Sequence, residues 1–152
     1  MHQFNRGTSV FKLFSLIALA LAFTLTAFAQ TATAQDMGKP TRKTVKFIEP
    51  QHSDQVKSPV TVKFEAVGMK TVPAGTEESG TGHHHLIIDG SAPDEGEVIP
   101  VDPAHLHFGK GQTETTIELP PGKHTLTLQF ADGLHRSYGP PMRAEIEIEV
   151  VK

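Results

Sequence analysis

The chain contains no cysteine and no tryptophan, and only one tyrosine among its 152 residues. Without thiols there is no disulfide, thiolate zinc site, iron–sulfur cluster, blue-copper centre, covalent c-type haem, cysteine nucleophile or lipoprotein anchor. Basic residues are also few, with 14 Lys plus Arg against 17 Asp plus Glu and a formal charge of −3. They are scattered singly rather than clustered, so no nucleic-acid partner is expected. The length fits one domain and is too short for a barrel enzyme or a two-domain kinase, while 38% hydrophobic residues is too many for simple disorder. What the chain does have is nine histidines, thirteen glycines and eleven prolines.

The first 29 residues read as a targeting segment. Arg6 and Lys12 flank the start of an uncharged run from Leu13 to Ala29, followed by the small-x-small sites Ala27-Phe28-Ala29 and Ala32-Thr33-Ala34. This is the order of a secretory signal peptide, and the run is too short and too interrupted by Thr for a spanning anchor. Cleavage would leave 123 residues and, by removing two of the 14 basic residues against 17 acids, a charge of −5. The expected location is the periplasm or the medium, with no membrane association after cleavage. Residues 30–43, a Thr/Ala/Gln/Lys mixture with Gly38 and Pro40, read as a flexible lead-in to one domain spanning 44–152.

From residue 44 the dominant period is two. Val60, Val62, Phe64 and Ala66 alternate with polar residues, as do Leu126, Leu128 and Phe130, and Ile146, Ile148 and Val150. These are half-buried strands, separated by turn signals such as Ser58-Pro59, Asp89-Gly90, Pro120-Pro121-Gly122 and Gly139-Pro140-Pro141. Six to seven short antiparallel strands predict an all-β, immunoglobulin- or fibronectin-like sandwich. The strands map as A 44–49, B 60–67, C 83–89, E 113–119, F 124–131 and G 143–151. Segment 90–112, with Pro93, Pro100 and Pro103, is expected to cross between sheets irregularly, with at most a short strand near Glu97 to Pro100. Leu119 to Leu128 resembles the E–F corner of such sandwiches, with His124 at the position of the corner tyrosine.

Seven histidines fall between residues 83 and 135, and His-x-His occurs at 83/85 and again at 105/107. On an extended segment residues i and i+2 share a side, about 6.5–7 Å apart, so two imidazoles can lean onto one ion. Imidazole suits zinc, copper and nickel, and a thiol-free site is reasonable in an oxidising compartment. The loop topology of the sandwich brings the start of strand C, the approach to strand E and the F–G connection to one pole. The candidate metal ligands are therefore His83, His85, His105, His107 and His135, for copper or zinc. His84 shares parity with Leu86 and Ile88 and points to the core, leaving His83 and His85 as the surface pair. His124 and His52 read as structural. Glu114, Asp89, Asp102 and Asp132 are candidate carboxylate partners, and Met69 and Met142 are candidate soft donors that also fit as core. Two other readings of the cluster stand beside metal binding: a hydrogen-bonding or pH-responsive network, and a site for a non-metal ligand.

No catalytic motif accompanies the histidines. Gly109-Lys110-Gly111-Gln112 lacks the Walker spacing and reads as a turn, and Ser79, Ser91 and Ser137 lack a nucleophile-elbow context. The expectation is a non-enzymatic binding module with an unknown protein partner.

The string from Gly82-His83-His84-His85-Leu86-Ile87-Ile88-Asp89, through His105-Leu106-His107-Phe108-Gly109-Lys110-Gly111-Gln112 and Leu119-Pro120-Pro121-Gly122-Lys123-His124, to Pro140-Pro141 resembles the secreted bacterial family known as domain of unknown function 4399. The likeness covers roughly residues 60–150. Near the F–G connection that family's pattern is His-x-Pro-His, whereas this chain has His135-Arg136-Ser137-Tyr138, with Tyr138 in place of the second histidine. The resemblance implies a secreted β domain and no established activity.

Overall fold

The computed structural model describes residues 42–152. The expected signal peptide, and all of the lead-in but its last two residues, lie outside the described part.

The described chain is an all-β sandwich of two sheets. Strands β1 (Thr44–Glu49), β3 (Val60–Val67) and β7 (Glu114–Ile117) form an antiparallel sheet in the order β1-β3-β7. The larger sheet runs β2 (Gln55–Lys57), β9 (Arg143–Val151), β8 (Gly122–Ala131), β5 (Thr81–Ile88) and β4 (Lys70–Thr71). Strand β6 (His105–His107) also pairs with β5. Because β8 occupies one edge of β5, β4 and β6 share the other. One short 3-10 helix, Pro140–Met142, leads into β9, and no helix among the described residues is long and apolar enough to cross a membrane.

The period-two pattern sets which residues meet between the sheets. Val60, Val62 and Phe64 from β3 face Leu126, Leu128 and Phe130 from β8 and Ile146, Ile148 and Val150 from β9, all within one buried cluster. Residues of opposite parity on β9, Glu145, Glu147 and Glu149, remain exposed. Six of the strands were legible from this alternation, and they bound the sandwich as mapped to within a few residues.

Segment 90–112 departs from the expectation. Its strand forms at His105–His107, antiparallel to β5 with His85 opposite His107 and Ile87 opposite His105. Near Glu97 to Pro100 there is only a bridge between Val98 and Arg136. The prolines interrupt extended pairing upstream, and pairing resumes beyond Pro103, where an edge of β5 is free. Segment 90–104 lies instead against the β8–β9 connection: Gly96 N donates to Ser137 O, Ser137 N to Glu97 O, and Ile99 N to His135 O. Arg143 donates to Pro93 O from the other side.

Candidate metal centre

The outer face of β5 is not a solvent face. His83, His85 and Ile87 point away from the main core and lie opposite Ala131, Gln129 and Thr127 of β8, yet all six are buried. Ile99 is buried at 1% exposure although it too lies outside the main core, as expected if segment 90–104 roofs this face. His83 and His85 are thus not the surface pair that parity alone implied. Alternation identifies the face, and a tertiary cover then decides whether that face meets water. Gly82 prepares the entry to this strand: a Cβ there would collide with Ala131 O and the Phe130 ring, so β5 can reach its register beside β8 only with glycine.

Four of the five candidate ligands converge. One nitrogen each from His83, His85, His107 and His135 lies within 4.8 Å of the others. His85 Nε2 is 3.1 Å from His83 Nε2, and His135 Nε2 is 3.2 Å from His107 Nε2. Strand β5 supplies two of these imidazoles, β6 supplies one through the His85–His107 register pair, and the turn after β8 supplies the fourth. The group sits where β5 begins and β8 ends, against the outer sheet face rather than among the loop tips. His83 and His85 are buried, His107 is exposed and His135 is intermediate, so the group opens to solvent on one side.

His105 stands apart. It shares a side with His107 but lies one step along the ladder, opposite Ile87, and its Nδ1 pairs with Asp102 Oδ1 at 2.8 Å. The signal that separates it was present in the sequence as a carboxylate three residues upstream. His105 Nε2 is buried without a hydrogen-bond partner, as are Nδ1 of His83, His84 and His85. His84 faces the core, with the Phe64 and Phe130 rings each 4.8 Å away. His124 holds the opposite corner: its Nε2 pairs with Pro120 O at 2.9 Å and its Nδ1 with Asp89 Oδ2 at 2.7 Å. This is the upstream backbone bond that a corner tyrosine makes in such sandwiches. His52 Nδ1 accepts from Glu147 N.

The electrostatics follow burial. Desolvation, then the charges of His135 and His107, hold His83 down at about 4, while Asp132 pulls the other way. Desolvation and the neighbouring histidines, His83 foremost, take His85 to about 3, and desolvation with His83 takes His84 to about 4. His107 is lowered by burial and by His135. At neutral pH these rings carry lone pairs rather than charge, the form that can ligate a metal. For His124, burial pulls downward, but its bonds to Asp89 and to Pro120 O prevail and raise it.

Of the carboxylates considered beside the histidines, Asp102 orients His105 and Asp89 orients His124. Asp132 bonds within its own turn. Met142 is buried in the core and Met69 packs against it, so neither joins the group.

Fold and cluster define a small β-sandwich domain with an all-imidazole group at one end of its larger sheet. Residues 62–151 match the family described as Domain of unknown function (DUF4399), and the chain belongs to that family. No curated protein matches it. Among solved structures, the endo-beta-1,4-mannanase from Thermotoga petrophila is similar at 16% identity with a TM-score of 0.45. That match covers 79% of this chain and 21% of the mannanase chain, so the protein spans about a fifth of that enzyme's length.

Proposed function

We propose that this protein is a secreted, non-catalytic binding module that takes up a copper or zinc ion through His83, His85, His107 and His135. One observation carries the reading: four imidazoles from three separate chain segments bring one nitrogen each within 4.8 Å of the others. Two ligands at 2.0–2.1 Å and a tetrahedral angle stand about 3.3–3.4 Å apart. The Nε2 pairs at 3.1 and 3.2 Å are close to that separation. The more open rings of His107 and His135 have the freedom to close the remaining gap.

Donor chemistry narrows the ion. Four nitrogens with no carboxylate or thiolate suit copper and zinc and disfavour magnesium and calcium, which take oxygen. Four protein ligands leave no open position for a substrate, which is the pattern of non-catalytic sites. The solvent side at His107 and His135 gives the ion a route in and out, so exchange rather than permanent burial fits the arrangement. The signal-like N-terminus supports a location in the periplasm or medium.

A second reading has its own support. The two short Nε2 pairs can also be imidazole-to-imidazole hydrogen bonds, making the cluster a structural network. The buried, unpartnered Nδ1 atoms of His83 and His85 count equally against both readings, since a ligating imidazole also donates its other N–H to a partner. Titration of untagged protein with zinc and copper decides between them. Tight one-to-one binding that disappears in His83→Ala/His107→Ala supports the ion reading, and no binding at micromolar ion leaves the network.

A further inference from the structure

We propose that Asp132 is the positioning residue of this site: its carboxylate folds the turn 132–136 into the shape that aims the His135 imidazole at His83 and His107. The inference rests on the metal-binding reading for its purpose, but the geometry it describes is independent of any ion.

The turn is closed by its first residue. Asp132 Oδ1 accepts from Leu134 N and from Arg136 N, both at 2.9 Å, and Oδ2 accepts from Arg136 Nε at 2.8 Å. The backbone adds Asp132 N to Arg136 O and His135 N to Asp132 O, each at 3.0 Å. Both carboxylate oxygens are therefore committed to donors of the turn, which makes Asp132 a holder of the turn and not a ligand.

His135 needs such a holder. Its φ is +65°, in the left-handed region that L residues rarely adopt. Strained residues persist only where their surroundings over-determine them, and they gather at functional sites. Here the surroundings press from two sides. Ile99 N donates to His135 O from segment 90–104, Gly75 N donates to Gly133 O from the β4–β5 side, and a Cβ on Gly133 would collide with Thr76 O. The outcome is a His135 ring whose centroid is 4.9 Å from that of His83 and 4.7 Å from that of His107. Without the carboxylate, Leu134 N and Arg136 N lose their acceptor. A right-handed His135 then becomes the cheaper conformation, and that rotation carries the imidazole off the group.

The test compares Asp132→Ala, Asp132→Asn, His135→Ala and the double variant Asp132→Ala/His135→Ala. Asn keeps an oxygen for the two backbone donors and forfeits only the pairing with Arg136. Zinc affinity of Asp132→Ala should fall to within about threefold of His135→Ala, and the double variant should lose no more, because both changes remove the same ligand. Asp132→Asn should retain most of the wild-type affinity. Fully additive losses, or wild-type affinity in Asp132→Ala, would overturn the proposal. A metal-free readout accompanies it: NMR contacts between the His135 and His107 rings, and the His135 amide coupling that reports φ. Both should persist in wild type and Asp132→Asn and vanish in Asp132→Ala, with strand amide shifts unchanged. Their persistence in Asp132→Ala refutes the positioning role. No zinc binding by any protein, with the NMR pattern as expected, instead refutes the metal reading and leaves the positioning role standing.

Discussion

His85 and His107 face each other across the β5–β6 ladder as register partners, with ring centroids 5.0 Å apart and planes 24° from parallel. A three-residue edge strand thus has a use beyond closing the sheet, since its pairing places an exposed imidazole beside a buried one. His105, on the same strand, is turned to a different partner by Asp102.

That division predicts unequal roles within one His-x-His pair. On the proposed metal reading, His107→Ala removes one of four ligands and should lower zinc or copper affinity by more than about 100-fold, beyond the 10–100-fold typical of losing an outer partner. His105→Ala should change it by less than about tenfold. Competition titration against a chelator of known affinity checks both, and equal losses would mean that His105 belongs to the group.

Stability should depend on acid in a definite direction. Folded His83, His84 and His85 are held at about 4, 4 and 3, against about 6.5 when unfolded. Between those limits the unfolded chain binds more protons, so the stabilisation is complete above about pH 6.5 and is lost as pH falls toward 4. His124 has the opposite sign: its raised folded value gives stability in acid that disappears as pH rises through that value. Three groups outweigh one, and the melting temperature of ion-free protein should fall steadily from pH 7 to pH 5. A flat profile over that range would show that the three histidines do not stay neutral in the fold.

His84 offers a gain. Its Nδ1 is buried and unpartnered among aromatic rings, and its contact with Thr71 Oγ1, at 3.5 Å, is at the limit of hydrogen bonding. An unsatisfied buried polar atom costs about 1–3 kcal/mol, so His84→Leu should leave stability equal or higher at pH 7.5 and clearly higher at pH 5. Urea unfolding at the two pH values measures this, and a loss at both would show that the ring's shape matters more than its polarity.

The corner at the other end should behave differently. His124→Leu removes the bonds to Pro120 O and Asp89 and should cost about 1–3 kcal/mol by chemical denaturation. Because this corner is remote from the four-histidine group, metal affinity should stay at the wild-type value, and a parallel fall in affinity would reveal coupling between the two ends.

Much of this was legible from residue order, and the gaps have physical causes. Long alternating strands such as 60–67 and 143–151 declare themselves because each buries every second residue. Strands β2, β4 and β6 span two or three residues, too few to establish a period, and form because neighbouring strands offer them an edge. At the site, parity separated His84 from His83 and His85 correctly. It did not reveal that the outer face would be buried, since coverage arises from contacts far apart in sequence. His105 shares the His-x-His pattern with His107 but has Asp102 three residues upstream, and the two differ also in what stands opposite, which residue order does not show.

The spacing of the four histidines along the chain has one more consequence. An ion held by them would tie β5 to β6 and β6 to the turn after β8, closing loops of about 22 and 28 residues. In the loop-closure account, a covalent crosslink over even about 15 residues stabilises by about 3 kcal/mol. A chain with no cysteine would thereby have a removable staple, its rigidity set by the free metal concentration around it rather than by the redox state of thiols.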